Sequence, residues 1–235
     1  MNDKLDILCY YDNLQECLFD LFFYPGYEKY LKTNFNLICH KFDTDKNTIG
    51  GWNSKHWGKI LIDRYDFIKA YILSNNNRWS IFSDIDILFL DNFYNEIRSL
   101  ISDNSYNIYY MPEYIRSRNS EINGGFFLFK CNKQVYDFFD LVQNQTKEMK
   151  YPNDQIVISE LLKNKIINQS LLLRHGFVTN NNPKCKINRL ISYGTMKVFH
   201  ATSCHTTMEK IQVLSTVYVK KYGTITNSLW IPSET

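Results

Sequence analysis

Residues 5–11 (LDILCYY) form a short apolar run closed by Asp12-Asn13, the pattern of a buried first strand. Residues 13–34 space their apolar positions as a helix does, until Pro25-Gly26, where the missing N–H and the flexible glycine predict a break. FNLICHKF (35–42) predicts a second strand. A polar, glycine-containing loop follows over 43–52. Residues 54–75 then set Trp57, Ile60, Leu61, Tyr65, Ile68 and Ile72 on one face of a long helix. WSIFSDIDILFLD (79–91) supplies a third strand, ending at Asp84.

The order β-α-β-α-β predicts an α/β fold with a mostly parallel, Rossmann-like central sheet flanked by helices. Ligands of such sheets sit in the crevice beyond the carboxyl ends of the strands, so Asp84 and Asp86 are expected to face it. The second half is more mixed. Strands are expected over 106–111 and 122–130, helices over 132–145 and 153–165, and short strands around 170–178 and 196–201. The asparagine-rich 178–188 reads as a flexible loop. No repeat or linker divides the chain, which predicts a single domain over 1–235.

Composition narrows the classes. A chain of 235 residues, 44% hydrophobic and 16% aromatic, has ample material for a core. Its formal charge of +3 is spread without a Lys/Arg-rich run, which argues against a nucleic-acid partner. No apolar stretch approaches the ~20 residues of a membrane span, so no transmembrane segment is expected. The start, MNDKLDILCYYD, is charged before its short apolar run, so no signal peptide is expected in it. Six scattered cysteines without a CxxC pair suit a reducing, cytoplasmic setting.

Asp84 and Asp86 are the chemical anomaly, because an unpaired carboxylate in an apolar strand either costs several kcal/mol or is neutralised. Three readings are open: acids capping a turn, a divalent metal site, or a phosphoryl-transfer nucleophile of the DxDxT type. The last meets Leu88 where threonine is required. Hard carboxylate oxygens suit Mg²⁺ or Mn²⁺. His200, after the short apolar strand of MKVFHA, adds a ligand that tilts the metal towards manganese. Gly124-Gly125 permits close backbone approach, as a ligand contact or as a β-bulge. Asp154 and Gln155 open a helix, where an acid is either a cap or a ligand and glutamine suits sugar hydroxyls.

Four segments, SDID (83–86), INGGFFLFK (122–130), PNDQIVISELL (152–162) and KVFHA (197–201), occur in the order found in metal-dependent glycosyltransferases of the GT-A fold. The chain resembles that group, which includes glycogenin-like enzymes and other nucleotide-diphospho-sugar transferases. The resemblance implies a nucleotide-binding half over about 4–90, a sugar and acceptor half over 91–205, and a C-terminal segment over 206–235. It implies an enzyme moving a sugar from a nucleotide-diphosphate donor, UDP foremost, to a hydroxyl of a glycan, glycoprotein or small molecule, with Mn²⁺ or Mg²⁺ and retention at the anomeric carbon. Asp84 would contact ribose and metal, and Asp86 and His200 would ligate the metal. Asn123, Asp154 and Gln155 would line the donor-sugar pocket and carry catalysis. Cys9, Tyr10, Tyr11, Arg64 and Gly124 would bind the donor, with Arg64, or alternatively Lys59, against the diphosphate. Glu113 would meet the acceptor or sugar, or be a surface acid. Ser203 stands where glycogenin-like enzymes have glycine, and Lys210 or His205 would complete the phosphate clamp. The rivals are a Mg²⁺-dependent nucleotidyl or phosphoryl transferase and a non-catalytic nucleotide-sugar-binding module. The former lacks a glycine-rich loop after the first strand, where YYDNLQEC (10–17) stands.

Overall fold

The computed structural model describes residues 4–45, 55–112, 122–150, 152–172, 176–179, 196–202, 204 and 206–223. Glu113, Ser203, His205 and most of the asparagine-rich 178–188 lie outside the described residues.

β1 (Leu5–Asp12) pairs in parallel with β2 (Phe35–Phe42) and with β3 (Trp79–Ser83), as the alternating first half predicts. β6 (Ile122–Lys130) runs antiparallel to β3 and to β5 (Ile108–Pro112), and β7 (Gln169–Leu171) pairs in parallel with β5. The sheet order is β2-β1-β3-β6-β5-β7, and three of its five ladders are parallel, so the sheet is mixed but mostly parallel. A smaller sheet joins β4 (Ile87–Phe89), β9 (Val198–His200) and β8 (Phe177–Thr179) in the order β4-β9-β8.

Strand β6 shows how the core divides. Its apolar side chains alternate between faces with the period of two that a strand imposes. Phe126 and Leu128 enter a core with β4, β9 and the first helical segment, while Phe127 and Phe129 enter a second core. That second core is covered by α3 (Lys55–Ser74), α5 (Lys133–Glu148) and α6 (Asp154–Lys163). On α3 the inward stripe is Tyr65, Ile68, Tyr71 and Ile72, three to four residues apart.

The helix expected to break at Pro25-Gly26 instead runs on. α1 (Glu16–Leu18), a π-helical turn (Phe19–Phe23) and α2 (Tyr24–Tyr30) are continuous, with Pro25 in the first turn of α2. The register change at the π-turn places proline where a helix start tolerates a missing N–H. Gly26 serves packing: a Cβ there would lie 3.0 Å from Phe89 Cβ and from the Phe89 carbonyl oxygen. Two further helices, α4 (Tyr94–Asp103) and α7 (Thr207–Tyr222), carry no sequence expectation of their own. α7 begins on a capping box, with Thr206 Oγ1 accepting the Glu209 N–H at 3.1 Å.

Candidate active site

Asp84 and Asp86 leave the C-terminal end of β3, and β4 starts immediately after them. Ile87 is the register partner of His200 across the small sheet, which carries the imidazole back over the two acids. One ligand atom each from Asp84, Asp86 and His200 falls within a span of 4.8 Å, a group able to hold a metal ion. His200 Nε2 lies 3.0 Å from Asp86 Oδ1 and 3.9 Å from Asp84 Oδ2.

The imidazole is held from behind. Asn123 Oδ1 accepts the Gly125 N–H at 2.9 Å and lies 3.0 Å from His200 Nδ1. An oxygen there requires the proton on Nδ1, which leaves Nε2 as the ring atom facing the carboxylates. Beneath them is Gly125, whose carbonyl accepts the Asp84 N–H at 2.6 Å. A Cβ on Gly125 would come within 2.3 Å of both Asp84 Oδ2 and His200 Cε1. The donor set, two hard carboxylates and one pre-oriented imidazole over a glycine cradle, fits a divalent cation of the Mg²⁺ or Mn²⁺ class.

Lys210 joins this group from the first turn of α7, its Nζ 2.6 Å from Asp86 Oδ2. Burial by itself raises the Asp86 carboxyl, but Lys210 and His200 outweigh it and hold the group well below the usual carboxylate range. Asp84 moves the other way: its enclosure and the neighbouring Asp86 raise it, against the pull of Arg64. Two acids side by side are thus pushed apart, one below and one above the usual carboxylate value.

Arg64 lies inside the protein. Its guanidinium donates to Asp84 Oδ1 at 3.2 Å and, on the other side, to Asp154 Oδ2. Tyr65 donates to the same Asp154 oxygen at 2.5 Å. Burial would lower the Arg64 group, yet Asp154 and its neighbours more than offset it, so the cation is fixed. Asp154 is available for this because its neighbour does the capping: Asn153 Oδ1 accepts the Ile156 N–H at 3.3 Å. Gln155 Oε1 stands 3.5 Å from the Gly124 nitrogen, so Asn123, Gly124, Asp154 and Gln155 are gathered along one wall. Lys59 is elsewhere on α3, paired with Asp63 on the exposed face at 2.7 Å.

Beside β3, the neighbouring strand β1 carries Cys9, Tyr10 and Tyr11. Cys9 is fully buried, the Tyr10 ring stacks on His40, and Tyr11 stacks on Phe19. Next to them is a cluster that sequence reasoning missed. Asp12 is buried, accepts the Gln15 N–H at 3.2 Å and the Thr44 hydroxyl at 3.3 Å, and pairs with His56 Nε2 at 2.9 Å. The signal was a lone acid closing an apolar strand, the same signal that marked Asp84.

A mostly parallel sheet with a carboxylate pair at a strand end and a late histidine closing over it defines a GT-A-type sugar-nucleotide transferase. The sequence matches the profile of the nucleotide-diphospho-sugar transferases over residues 26–228, and the chain belongs to that family. It is therefore a glycosyltransferase. Among solved structures it is similar to a glycosyltransferase involved in the glycosylation of the major capsid of PBCV-1, at 12% identity and TM-score 0.59, covering 90% of this chain and 99% of that one. It is also similar to the WbbM bifunctional glycosyltransferase in its apo form, at 10% identity and TM-score 0.56, covering 94% of this chain and 51% of that one. At these identities the likeness is one of fold. No curated protein matches the sequence. Among the described residues, no helix is long and apolar enough to cross a membrane.

Proposed function

We propose that this chain transfers a sugar from a UDP-sugar to an acceptor hydroxyl on a glycan, glycoprotein or small molecule. The reaction is Mn²⁺-dependent, retains the anomeric configuration and takes place in the cytoplasm. The observation that carries this reading is the convergence of Asp84, Asp86 and His200 on one point over Gly125. An imidazole ligand favours manganese over magnesium.

Asp84, Asp86 and His200 would hold the cation, which as a Lewis acid neutralises charge on the departing diphosphate. Lys210 adds a second positive charge beside Asp86, where the diphosphate oxygens come to lie, and so takes the place of the phosphate clamp. The strand end carrying Cys9, Tyr10 and Tyr11 would lie beside the nucleoside, with Asp84 on the ribose. Asn123, Gly124, Asp154 and Gln155 form the sugar pocket. Arg64 orients Asp84 and Asp154 from within and sets the potential under the diphosphate.

Arg64 and Tyr65 both occupy Asp154 Oδ2, which blunts it as a nucleophile. Front-face attack, with a leaving phosphate oxygen taking the acceptor's proton, is the retaining route this reading adopts. Incubation with a panel of nucleotide sugars and Mn²⁺, with free nucleotide as the readout, tests the reading. UDP is released with one UDP-sugar, and release stops with EDTA and in Asp86→Ala. Undiminished release in EDTA overturns it.

A further inference from the structure

The register of the two first strands sets Cys9 opposite Cys39. Their sulfurs are 3.0 Å apart, with the Cys9 thiol donating to Cys39. The pair is asymmetric: Cys9 is sealed in the core, whereas Cys39 is exposed on the edge strand β2. The hydrogen bond from Cys9 lowers the Cys39 thiol against a smaller opposing effect of burial. Every other described cysteine is shifted upward: Cys9 by the Cys39 bond and burial, Cys17, Cys131 and Cys204 by burial first. Cys39 thus combines exposure, thiolate character and an adjacent resolving thiol, the three marks of a redox-active cysteine.

We propose that Cys9 and Cys39 form a reversible dithiol switch, in which a hydroperoxide drives closure of a disulfide that weakens binding of the donor nucleotide. The Cys39 sulfur attacks one peroxide oxygen, the O–O bond breaks, and the alcohol, or water from hydrogen peroxide, departs. The resulting Cys39 sulfenic acid is attacked by the Cys9 sulfur as Cys9 gives up its proton. The S–S bond forms, the S–O bond breaks, and water leaves. The two thiols supply the two electrons that reduce the peroxide, and an added dithiol returns them.

The bridge acts on the donor through the strand ends. Tyr10 and His40 are the next register pair, stacked with centroids 5.2 Å apart. Just past the ends of the two strands, Thr44 and Asn13 exchange hydrogen bonds and Thr44 reaches Asp12. Drawing Cys39 onto Cys9 re-aims these paired ends. This coupling rests on the reading of Cys9, Tyr10 and Tyr11 as the nucleoside-facing strand end.

The test compares reduced, peroxide-treated and dithiothreitol-rescued full-length protein. Peptide mapping should find a Cys9–Cys39 bridge, with two of the six cysteines consumed. Calorimetry with UDP and Mn²⁺ should show weaker binding after oxidation and recovery after rescue. Cys39→Ser should show neither the bridge nor the loss. Sulfinic acid at Cys39 without a bridge, a bridge to another cysteine, or a mapped bridge with unchanged UDP affinity overturns the proposal. Failure of the reduced protein to bind UDP would count against the donor reading and the coupling, while the peptide map still decides the thiol chemistry.

Discussion

Gly125→Ala is the sharpest test of the metal centre, because the damage can be located in advance. The new Cβ would sit 2.3 Å from Asp84 Oδ2 and 2.3 Å from His200 Cε1, far inside van der Waals contact. Gly125 is not among the positive-φ residues, so alanine meets no backbone penalty and the conflict is with the two ligands. Both must yield, in opposite directions, and neither can go far. His200 is pinned by Asn123 and Asp84 by Arg64. Overpacking of this kind costs about 1–3 kcal/mol of stability, which leaves a domain of this size folded. The separation of the ligands, however, shifts by more than a metal shell tolerates. Loss of ligand orientation alone costs roughly 10–100-fold in metal affinity, and Gly125→Ala should reach at least that. Gly124→Ala is the control next door: its Cβ would meet nothing nearer than Arg64 at 3.6 Å. Mn²⁺ titration by calorimetry or electron paramagnetic resonance, with UDP present, gives the affinities, and circular dichroism checks the fold. Wild-type Mn²⁺ affinity in Gly125→Ala, or equal losses in the two variants, would refute the placement of the ion.

The remaining predictions probe the supports of the site. Asn123→Ala should lower Mn²⁺ affinity about 10–100-fold through the freed imidazole, with little loss of melting temperature; an unchanged titration would show that Asn123 does not orient His200. Arg64→Ala leaves the carboxylates of Asp84 and Asp154 facing each other without a cation, and should destabilise the protein by about 3–5 kcal/mol in urea denaturation; a loss under about 1 kcal/mol, the range of a surface pair, would contradict its interior role. Lys210→Met should weaken UDP binding in the presence of Mn²⁺ and lower the salt sensitivity of what remains; identical UDP isotherms would remove Lys210 from the diphosphate. Gln155→Ala should reduce turnover while UDP affinity stays put, and loss of UDP binding itself would move Gln155 out of the sugar pocket.

The first half of the fold was readable because each element carries a clean local pattern. β1 is a mainly apolar run closed by Asp12, and α3 repeats its stripe at helical spacing, so neither depends on distant partners to be recognised. Pro25 misled for the opposite reason. Its helix continues because a π-turn shifts the register before it and Gly26 packs on Phe89, sixty-three positions later, which no local window contains. The three candidate metal ligands were legible as residue types at strand ends. Their environment was not. Lys210 reaches Asp86 from a helix that begins far along the chain, and only the tertiary arrangement puts its charge there. Arg64 was readable as a cation on the helix before the two acids, but its burial between Asp84 and Asp154 depends on the antiparallel insertion of β6, which a βαβ pattern does not announce.

The small sheet sets a limit on how this protein can vary. Ile87 faces His200 and Phe89 faces Val198 across a ladder only three residues long. That ladder helps to phase Asp86 and the imidazole, although 114 positions separate them in sequence. A strand has a two-residue repeat, so deleting or adding a single residue within Ile87–Phe89 or Val198–His200 turns His200 to the opposite face of the sheet. Chain gained or lost between β8 and β9 leaves that phase alone, because it alters neither partner of the ladder. Lineages descending from this sequence are thus free to remodel length between the strands, while an indel of one residue inside either strand should separate His200 from Asp84 and Asp86 in a single step.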